Sequence, residues 1–298
     1  MGSRHNMTRL TLGALEIAGY SVGGEETVVA APELNVCFDV GKAPEEILSI
    51  DHVLLSHGHM DHAAGIAYYL SQRDFREMAA GTVLLPTRLA GPLEGLLDCW
   101  GRIDGTRPPA NIVGMEPGEE YELRRNLFAL AFATNHGADS LGFTIMERRQ
   151  KLKSEYQDLA GPEIARLRKS GEQVTYTMNL PLVTYLGDTM GGDFEQLACV
   201  RHSQVLIAEC TFFDPEHRTR ARAGKHYHFD ELAAVLESME NEYIVLTHLS
   251  RRTELAAAKK IVQDRLSPET AAKVRFLMDR SHSRKRRGPA EPTENNHD

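Results

Sequence analysis

The chain has 298 residues, 42% of them hydrophobic and 26% charged, with a formal charge of −8. That is enough apolar material for one large α/β unit, and the acidic balance argues against broad, non-specific nucleic-acid binding. No apolar run reaches the roughly 18 residues of a membrane span, so none is expected.

The opening, Met1-Gly2-Ser3-Arg4-His5-Asn6, is polar and has no apolar signal core; residues 1–7 read as a tag scar before a natural start at Met7. Residues 8–279 then read as one domain. Thr27-Val28-Val29-Ala30-Ala31 and Asn35-Val36-Cys37-Phe38-Asp39-Val40 are expected to form a hairpin. His52-Val53-Leu54-Leu55-Ser56 is a short apolar run of the kind that makes a buried strand, and it feeds a histidine-rich loop. A helix is expected from Ala63 to Gln72, a strand at Thr82–Pro86 and a second helix from Leu89 to Trp100. Further apolar runs follow at Leu127–Phe132, Leu182–Leu186, Val205–Ala208 and Tyr243–Leu246. The segment 147–173 is polar and helical in pattern, and reads as a surface insertion. The stretch from Arg280 to Asp298 holds five basic and three acidic residues, a net +2 that leaves −10 on the body before it, and is expected to be disordered.

Five of these apolar runs end in a residue that can bind a metal or carry a proton: His57, His136, Asp188, Glu209 and His248. Side chains at strand ends sit on rigid elements and converge on one sheet edge. The densest group is His57-Gly58-His59-Met60-Asp61-His62. His57 and His59 are two apart in an extended segment, so they face the same way, and Asp61 and His62 follow at a helix start. Imidazole and carboxylate donors without cysteine suit a catalytic zinc site rather than a purely structural one. His136, Asp188 and His248 are the expected distant members, with one Asp shared between two ions. His5, His202, His217, His282 and His297 fall outside the strand-end pattern and read as surface residues.

The order of these motifs resembles the metallo-β-lactamase superfamily, and within it the ribonuclease Z family of tRNA 3′-endonucleases. Ser56-His57-Gly58-His59-Met60-Asp61-His62 resembles the family's S-H-x-H-x-D-H, and Phe38-Asp39-Val40-Gly41 its first motif. Thr134-Asn135-His136 with Ser140-Leu141-Gly142-Phe143 resembles T-x-H-x-x-x-S-x-G-Y. Leu186-Gly187-Asp188-Thr189 resembles G-D-T, Glu209-Cys210-Thr211-Phe212 resembles E-A-T-F, and Thr247-His248-Leu249-Ser250-Arg251-Arg252 resembles T-H-F-S-x-R. The resemblance runs from about residue 17 to 255. It implies a four-layer αββα sandwich of α/β class, whose halves are expected to split near residue 135. It implies two zinc ions, one on His57, His59 and His136, the other on Asp61, His62 and His248, with Asp188 bridging; manganese fits the same donors. It makes Asp61, Glu209 and His226 the catalytic candidates, with Asp39, Ser140 and His228 expected behind the ligands.

The sequence departs from the family at Lys225-His226-Tyr227-His228, where G-H-S-T is usual. Two histidines are therefore candidates, and the spacing to the following helix favours His226. The family's tRNA-gripping arm is reduced to Leu152–Gly171, as in its short-form group. Arg148, Lys151, Lys153, Arg168 and Lys169, with Arg252, are the candidate phosphate contacts, against the alternative of a solvated charged helix face. The resemblance implies precursor tRNA as partner and a homodimer. The alternative is a hydrolase of a small phosphodiester or ester. Cys37, Cys99, Cys199 and Cys210 are far apart in sequence, which fits a reducing cytoplasm and buried, unpaired thiols.

Overall fold

Strands buried on both faces are apolar at nearly every position rather than at every second one, and the runs above have that character. The computed structural model of the protein describes residues 7–137 and 139–279. The expectations for the tag scar and the terminal stretch therefore fall mostly outside the described residues. Met7 is the exception: it is buried against the first helical layer and belongs to the fold.

The first sheet holds β1 (Thr8–Leu12), β2 (Leu15–Val22), β3 (Glu26–Ala31), β4 (Val36–Val40), β5 (His52–Leu54), β6 (Gly81–Pro86) and β7 (Ala110–Met115). It carries α1 (Met60–Ala63), α2 (Ile66–Phe75) and α3 (Thr87–Asp104). The second sheet holds β8 (Glu120–Arg124), β9 (Leu127–Ala133), β10 (Leu141–Leu152), β11 (Thr175–Tyr185), β12 (Val205–Glu209), β13 (Tyr243–Thr247) and β14 (Val274–Phe276). Its helices are α4 (Gly161–Lys169), α5 (Ala198–Arg201), α6 (Arg218–Gly224), α7 (Phe229–Glu237), α8 (Leu255–Arg265) and α9 (Pro268–Lys273). Both sheets run in chain order. In each, three antiparallel pairings are followed by three parallel ones.

Period-two alternation sorts the strand residues into layers. Phe38, Leu54 and Leu84 of the first sheet meet Val183, Val205, Ile207 and Val245 of the second in one central core. Their neighbours point outward: Cys37, Val53 and Val83 pack under α2 and α3, while Leu206, Ala208, Ile244 and Leu246 pack under α7 and α8. Three apolar layers between four structural ones make the αββα sandwich.

Three expectations change. The chain crosses between sheets between Met115 and Glu120, not near residue 135. The strand that moves the boundary, β8, is an edge strand with mostly exposed polar positions, so no apolar run marks it. The helix expected over 63–72 is broken into α1 and α2 at Gly65, where a Cβ would lie 2.4 Å from the Ala43 nitrogen. The close approach serves the site: Gly65 N–H donates to Gly41 (2.7 Å) and Gly41 N–H to the His62 carbonyl (3.0 Å). The segment 147–173 is only partly helical. Its start extends β10, which beyond Glu147 pairs with β11 alone, so the two form a free ribbon tipped by α4. The ribbon is polar because it has no sheet neighbour on either side.

Candidate metal centre

Parallel strands end at a common edge, and in open α/β sheets ligand sites form outside the carboxyl ends of the strands. Here β5 leads to His57, His59, Asp61 and His62; β9 leads to His136; β11 to Asp188; β12 ends on Glu209; and β13 leads to His248. Ligand atoms of His57, His59, His136 and Asp188 lie within 4.8 Å of one another, as do those of Asp61, His62 and His248. Asp188 Oδ2 is central, 3.2 Å from His62 Nε2, 3.3 Å from His248 Nε2, 3.9 Å from His57 Nε2 and 4.0 Å from His136 Nε2. His59 is exposed at the mouth, with Nδ1 3.2 Å from His136 Nε2.

The hydrogen bonds behind the rings fix which nitrogen faces inward. Asp39 accepts from His62 Nδ1 (2.7 Å) and from the Ser56 hydroxyl (2.8 Å). Ser56, having donated to Asp39, accepts from His57 Nδ1 (3.0 Å). The Thr211 hydroxyl donates to Glu209 and so accepts from His248 Nδ1 (2.9 Å). The Lys225 carbonyl accepts from His136 Nδ1 (3.1 Å). Four buried rings thus hold their proton on Nδ1 and turn a lone pair inward on Nε2, the arrangement that metal-binding histidines require. Nε2 of His57, His62 and His248 are buried with no hydrogen-bond partner. Unpartnered buried nitrogens are costly, and a divalent cation would satisfy them; the all-imidazole and carboxylate donor set fits zinc.

The charge pattern agrees. Burial, then neighbouring His62, push His57 well below the usual imidazole range, and burial also lowers His136, so both are neutral donors. Burial pushes Asp188 up, but His248 and His62 outweigh it and hold the carboxyl well below its usual range. Burial pushes His62 down, yet Asp188 and Asp39 more than offset this, so the two carboxylates draw positive charge to that position. Asp39 and His248 both adopt positive φ, 54° and 60°. Non-glycine residues hold such angles at a cost, and they concentrate at functional sites.

Glu209 is 1% exposed and saturated as an acceptor: Thr189 N–H (2.9 Å) and His226 Nδ1 (2.8 Å) on one oxygen, Thr211 on the other. It reaches the cluster through His226, whose Nδ1 is also 3.9 Å from Asp188, and through Thr211 to His248. Burial lowers the His226 pKa, but Glu209 and Asp188 override it and push it up to about 9. His228, expected behind the ligands, is turned elsewhere. Its Nδ1 caps α7 at Asp230 N–H and its Nε2 donates to the Asp214 carbonyl (2.9 Å), so both ring nitrogens are spent. Ser140 touches no ligand; its hydroxyl accepts from Thr134 (2.9 Å) and closes the loop that carries His136.

Of the phosphate candidates, Arg148 is paired with Glu120 (2.8 Å) and lies over the Phe128 ring. Lys151, Lys153, Arg168 and Lys169 have no carboxylate partner among the described residues. They sit on the ribbon, whereas Arg252 is exposed four residues after His248. His202 is exposed, but His217 is half-buried against Phe212, contrary to the surface reading. Cys37 and Cys210 are buried, Cys199 is half-buried, and Cys99 is exposed, not buried as expected; all four are unpaired. Ser56, Tyr185 and Thr211 were not singled out in the sequence as individual site residues. Ser56 and Thr211 belong to the motifs themselves, S-H-x-H-x-D-H and E-A-T-F, which is a usable signal. Tyr185, whose hydroxyl donates to Asp39 (2.7 Å), carries none.

The family described as Beta-lactamase superfamily domain matches residues 28–249. tRNase Z TRZ1 of Arabidopsis thaliana is 36% identical over 251 residues, covering 80% of this chain and 88% of its own. Two solved structures share the fold at low identity. The metallo-β-lactamase fold protein YhfI of Bacillus subtilis has a TM-score of 0.60 at 15% identity, over 86% of this chain and 92% of its own. Human tRNase Z, short form, has a TM-score of 0.52 at 16% identity, over 83% and 91%. No helix among the described residues is long and apolar enough to cross a membrane.

Proposed function

Because the chain belongs to the ribonuclease Z family of the metallo-β-lactamase superfamily, we propose that this metal-dependent hydrolase is a zinc endonuclease that cuts precursor tRNA and leaves a 3′-hydroxyl. The observation that carries the reading is the His226–Glu209 pair, 2.8 Å apart, beside the donor cluster. A ribose alkoxide is a poor leaving group and needs a proton as the bond breaks. A hydrolase of activated esters would not need that pair.

His57, His59 and His136 would hold one zinc ion, and Asp61, His62 and His248 the other, with Asp188 shared; manganese is the alternative such donors accept. Bound there, the ions supply a nucleophilic water at neutral pH and neutralise charge on the phosphoryl oxygens. The chain does the rest. Asp61, half-buried and held by the Gly24 N–H (2.9 Å), accepts the proton of the attacking water. His226, with its raised pKa, carries a proton at neutral pH and delivers it to the departing 3′-oxygen, a contribution of roughly 10²–10⁴-fold. Glu209 orients His226 without touching the substrate.

Arg252, beside the site, suits a nearby phosphate. The ribbon bases serve a different place. β10 starts at the metal edge and runs away from it for 12 residues, so its tip lies roughly 35 Å along the strand from the site at about 3.3 Å per residue. Lys151, Lys153, Arg168 and Lys169 therefore grip the tRNA body, or a tRNA being cut by a second subunit. A homodimer has support in large apolar side chains left exposed on the first helical layer: Tyr68 and Phe75 on α2, with Leu96, Trp100 and Ile103 on α3. Four unpaired cysteines support a reducing, cytoplasmic setting.

The direct test is cleavage of a precursor tRNA beside bis-nitrophenyl phosphate, both with zinc-loaded protein. A product ending in a 3′-hydroxyl supports the reading. Turnover of the small diester alone would move the protein to the second reading, a small-phosphodiester hydrolase, which the net charge of −8 favours.

A further inference from the structure

Helix α6 ends against the proposed proton donor. His226 N–H donates to the Ala221 carbonyl (2.9 Å) and Lys225 N–H to the Arg222 carbonyl (3.2 Å), so the helix end and His226 form one hydrogen-bonded unit. Nδ1 of His226 is committed to Glu209, which leaves Nε2 to pass a proton to the departing oxygen. That side of the ring borders Gly224: a Cβ there would lie 2.9 Å from His226 Cδ2 and 3.5 Å from Nε2. The 3′-oxygen therefore meets His226 beside the end of α6, where glycine leaves the space.

The cations of this helix divide between two faces. Arg218 and Arg222, one turn apart, pair with Asp230 and Glu231 at the start of α7. Arg220 is one turn before Gly224 and so shares the face that borders His226. Arg220 and Lys225 are exposed and have no carboxylate partner among the described residues. Lys225 also stands where a side chain is expensive. Its φ is 53°, a left-handed conformation that glycine adopts freely and other residues hold at a cost. It fills the position where the family pattern G-H-S-T has glycine. Its carbonyl accepts from His136 Nδ1 (3.1 Å), a contact that any residue supplies. Backbone geometry thus asks for glycine here, and the ammonium group is what a lysine adds: a free cation beside the departing oxygen, in a chain of net charge −8.

We propose that Lys225, assisted by Arg220, binds the phosphate on the 5′ side of the last mature nucleotide, one linkage upstream of the cut. The assignment rests on the function proposed above. When His226 protonates the 3′-oxygen, the ribose that bears this oxygen lies beside His226, and the next phosphate of the same strand hangs from its 5′ carbon. The scissile phosphate belongs to the donor cluster, and the attacking water stands in line on its far side, opposite the 3′-oxygen. Neither competes for the end of α6. An ammonium is a compact charge with three donors on a flexible four-carbon stem, suited to a phosphate whatever base it carries. Such a contact positions the leaving strand without reading its sequence.

The test uses the zinc-loaded, full chain and two precursor tRNAs, both 2′-deoxy at the nucleotide before that linkage. One keeps the phosphate there; the other carries a neutral methylphosphonate. Lys225→Ala should lower kcat/KM on the phosphate substrate about tenfold, mainly through KM, for loss of one charged contact. It should also reduce the slope of log affinity against log salt by about 1. On the methylphosphonate substrate the same substitution should cost less than about twofold, because the partner charge is already gone. Lys225→Gly, which suits the backbone and keeps the carbonyl on His136, should lose as much RNA cleavage while unfolding at no lower denaturant concentration than wild type. Lys225→Arg should restore most of the loss, and Arg220→Ala should be the milder variant. Bound zinc should match wild type throughout. An equal loss from Lys225→Ala on both precursors, or full activity in Lys225→Gly, would overturn the proposal while leaving the endonuclease reading intact. So would loss of zinc from Lys225→Gly, which would make Lys225 a support of His136 only. Failure of wild-type protein to cut either precursor, with bis-nitrophenyl phosphate still hydrolysed, would overturn both.

Discussion

The two halves of the molecule repeat one topology but build their shares of the site differently. The first sheet contributes His57, His59, Asp61 and His62 from a single loop after β5. The second contributes His136, Asp188, Glu209 and His248 from four different strand ends, plus His226 from the turn before α7. Each half has one buried carboxylate that organises its rings. Asp39 at the end of β4 holds His62 directly and His57 through Ser56. Glu209 at the end of β12 holds His226 directly and His248 through Thr211. The difference lies in what hangs on each: Asp39 holds two rings of the donor cluster, whereas Glu209 holds one ring of that cluster and His226, the proton donor proposed above. On the function proposed above, one half is a metal cradle and the other joins the cradle to the leaving-group chemistry.

Asp188→Ala should break the comparison altogether, since its carboxylate faces donors from both halves. Turnover should vanish on every substrate, and metal analysis should find fewer ions per chain than in His57→Ala, which also abolishes turnover. Two ions per chain in Asp188→Ala would refute its shared role.

The next effect separates proton delivery from metal holding. His226→Ala should slow precursor-tRNA cleavage by about 10² or more, with bis-nitrophenyl phosphate hydrolysis and metal content nearly intact. His228→Ala should instead cost about 1 kcal/mol of stability, read by denaturant unfolding, as for loss of a helix cap. Equal losses on both substrates in His226→Ala would place that residue among the metal supports.

The two organising carboxylates allow a sharper contrast. Asp39→Asn should weaken metal affinity by roughly 10–100-fold, the usual effect of losing a partner behind a ligand, and should slow both substrates alike. Glu209→Gln should slow tRNA cleavage more than diester hydrolysis. Indistinguishable substrate profiles in a chelator titration and rate comparison would erase the proposed division between halves.

The smallest effect concerns Asp51, remote from the site. Burial pushes its carboxyl up, but hydrogen bonds from Asn35 and Arg73 outweigh this and hold it below the usual carboxylate range. A carboxyl lowered on folding stabilises the protein above its unfolded pKa and loses that contribution as pH falls through the folded value. Asp51→Asn should therefore cost no more than about 1 kcal/mol at neutral pH, because the side chain is half exposed and screened. The gap to wild type should close below about pH 4. A gap that stayed constant into acid would show that the charge of Asp51 contributes nothing.

The loop from His57 to His62 is legible in the sequence alone, because four donors within six residues need only a strand end and one helical turn to face one cavity. The apolar strands were legible for a related reason: burial on both faces leaves an unbroken hydrophobic run. Edge strand β8 and the ribbon of β10 and β11 were not, since exposed strands carry polar residues and lose the signal. The break at Gly65 was likewise hidden, because it answers to the backbone at Ala43 across the fold. Sequence order placed His136, Asp188 and His248 at strand ends, and resemblance supplied their grouping. Only the tertiary structure decided which nitrogen each ring turns inward, that His226 rather than His228 faces the cluster, and that Asp39 and Glu209 divide the rings between them. These are properties of hydrogen-bond partners far apart in sequence, such as His136 and Lys225, 89 residues apart, and pairings at that range arise when sheets stack, not from local pattern.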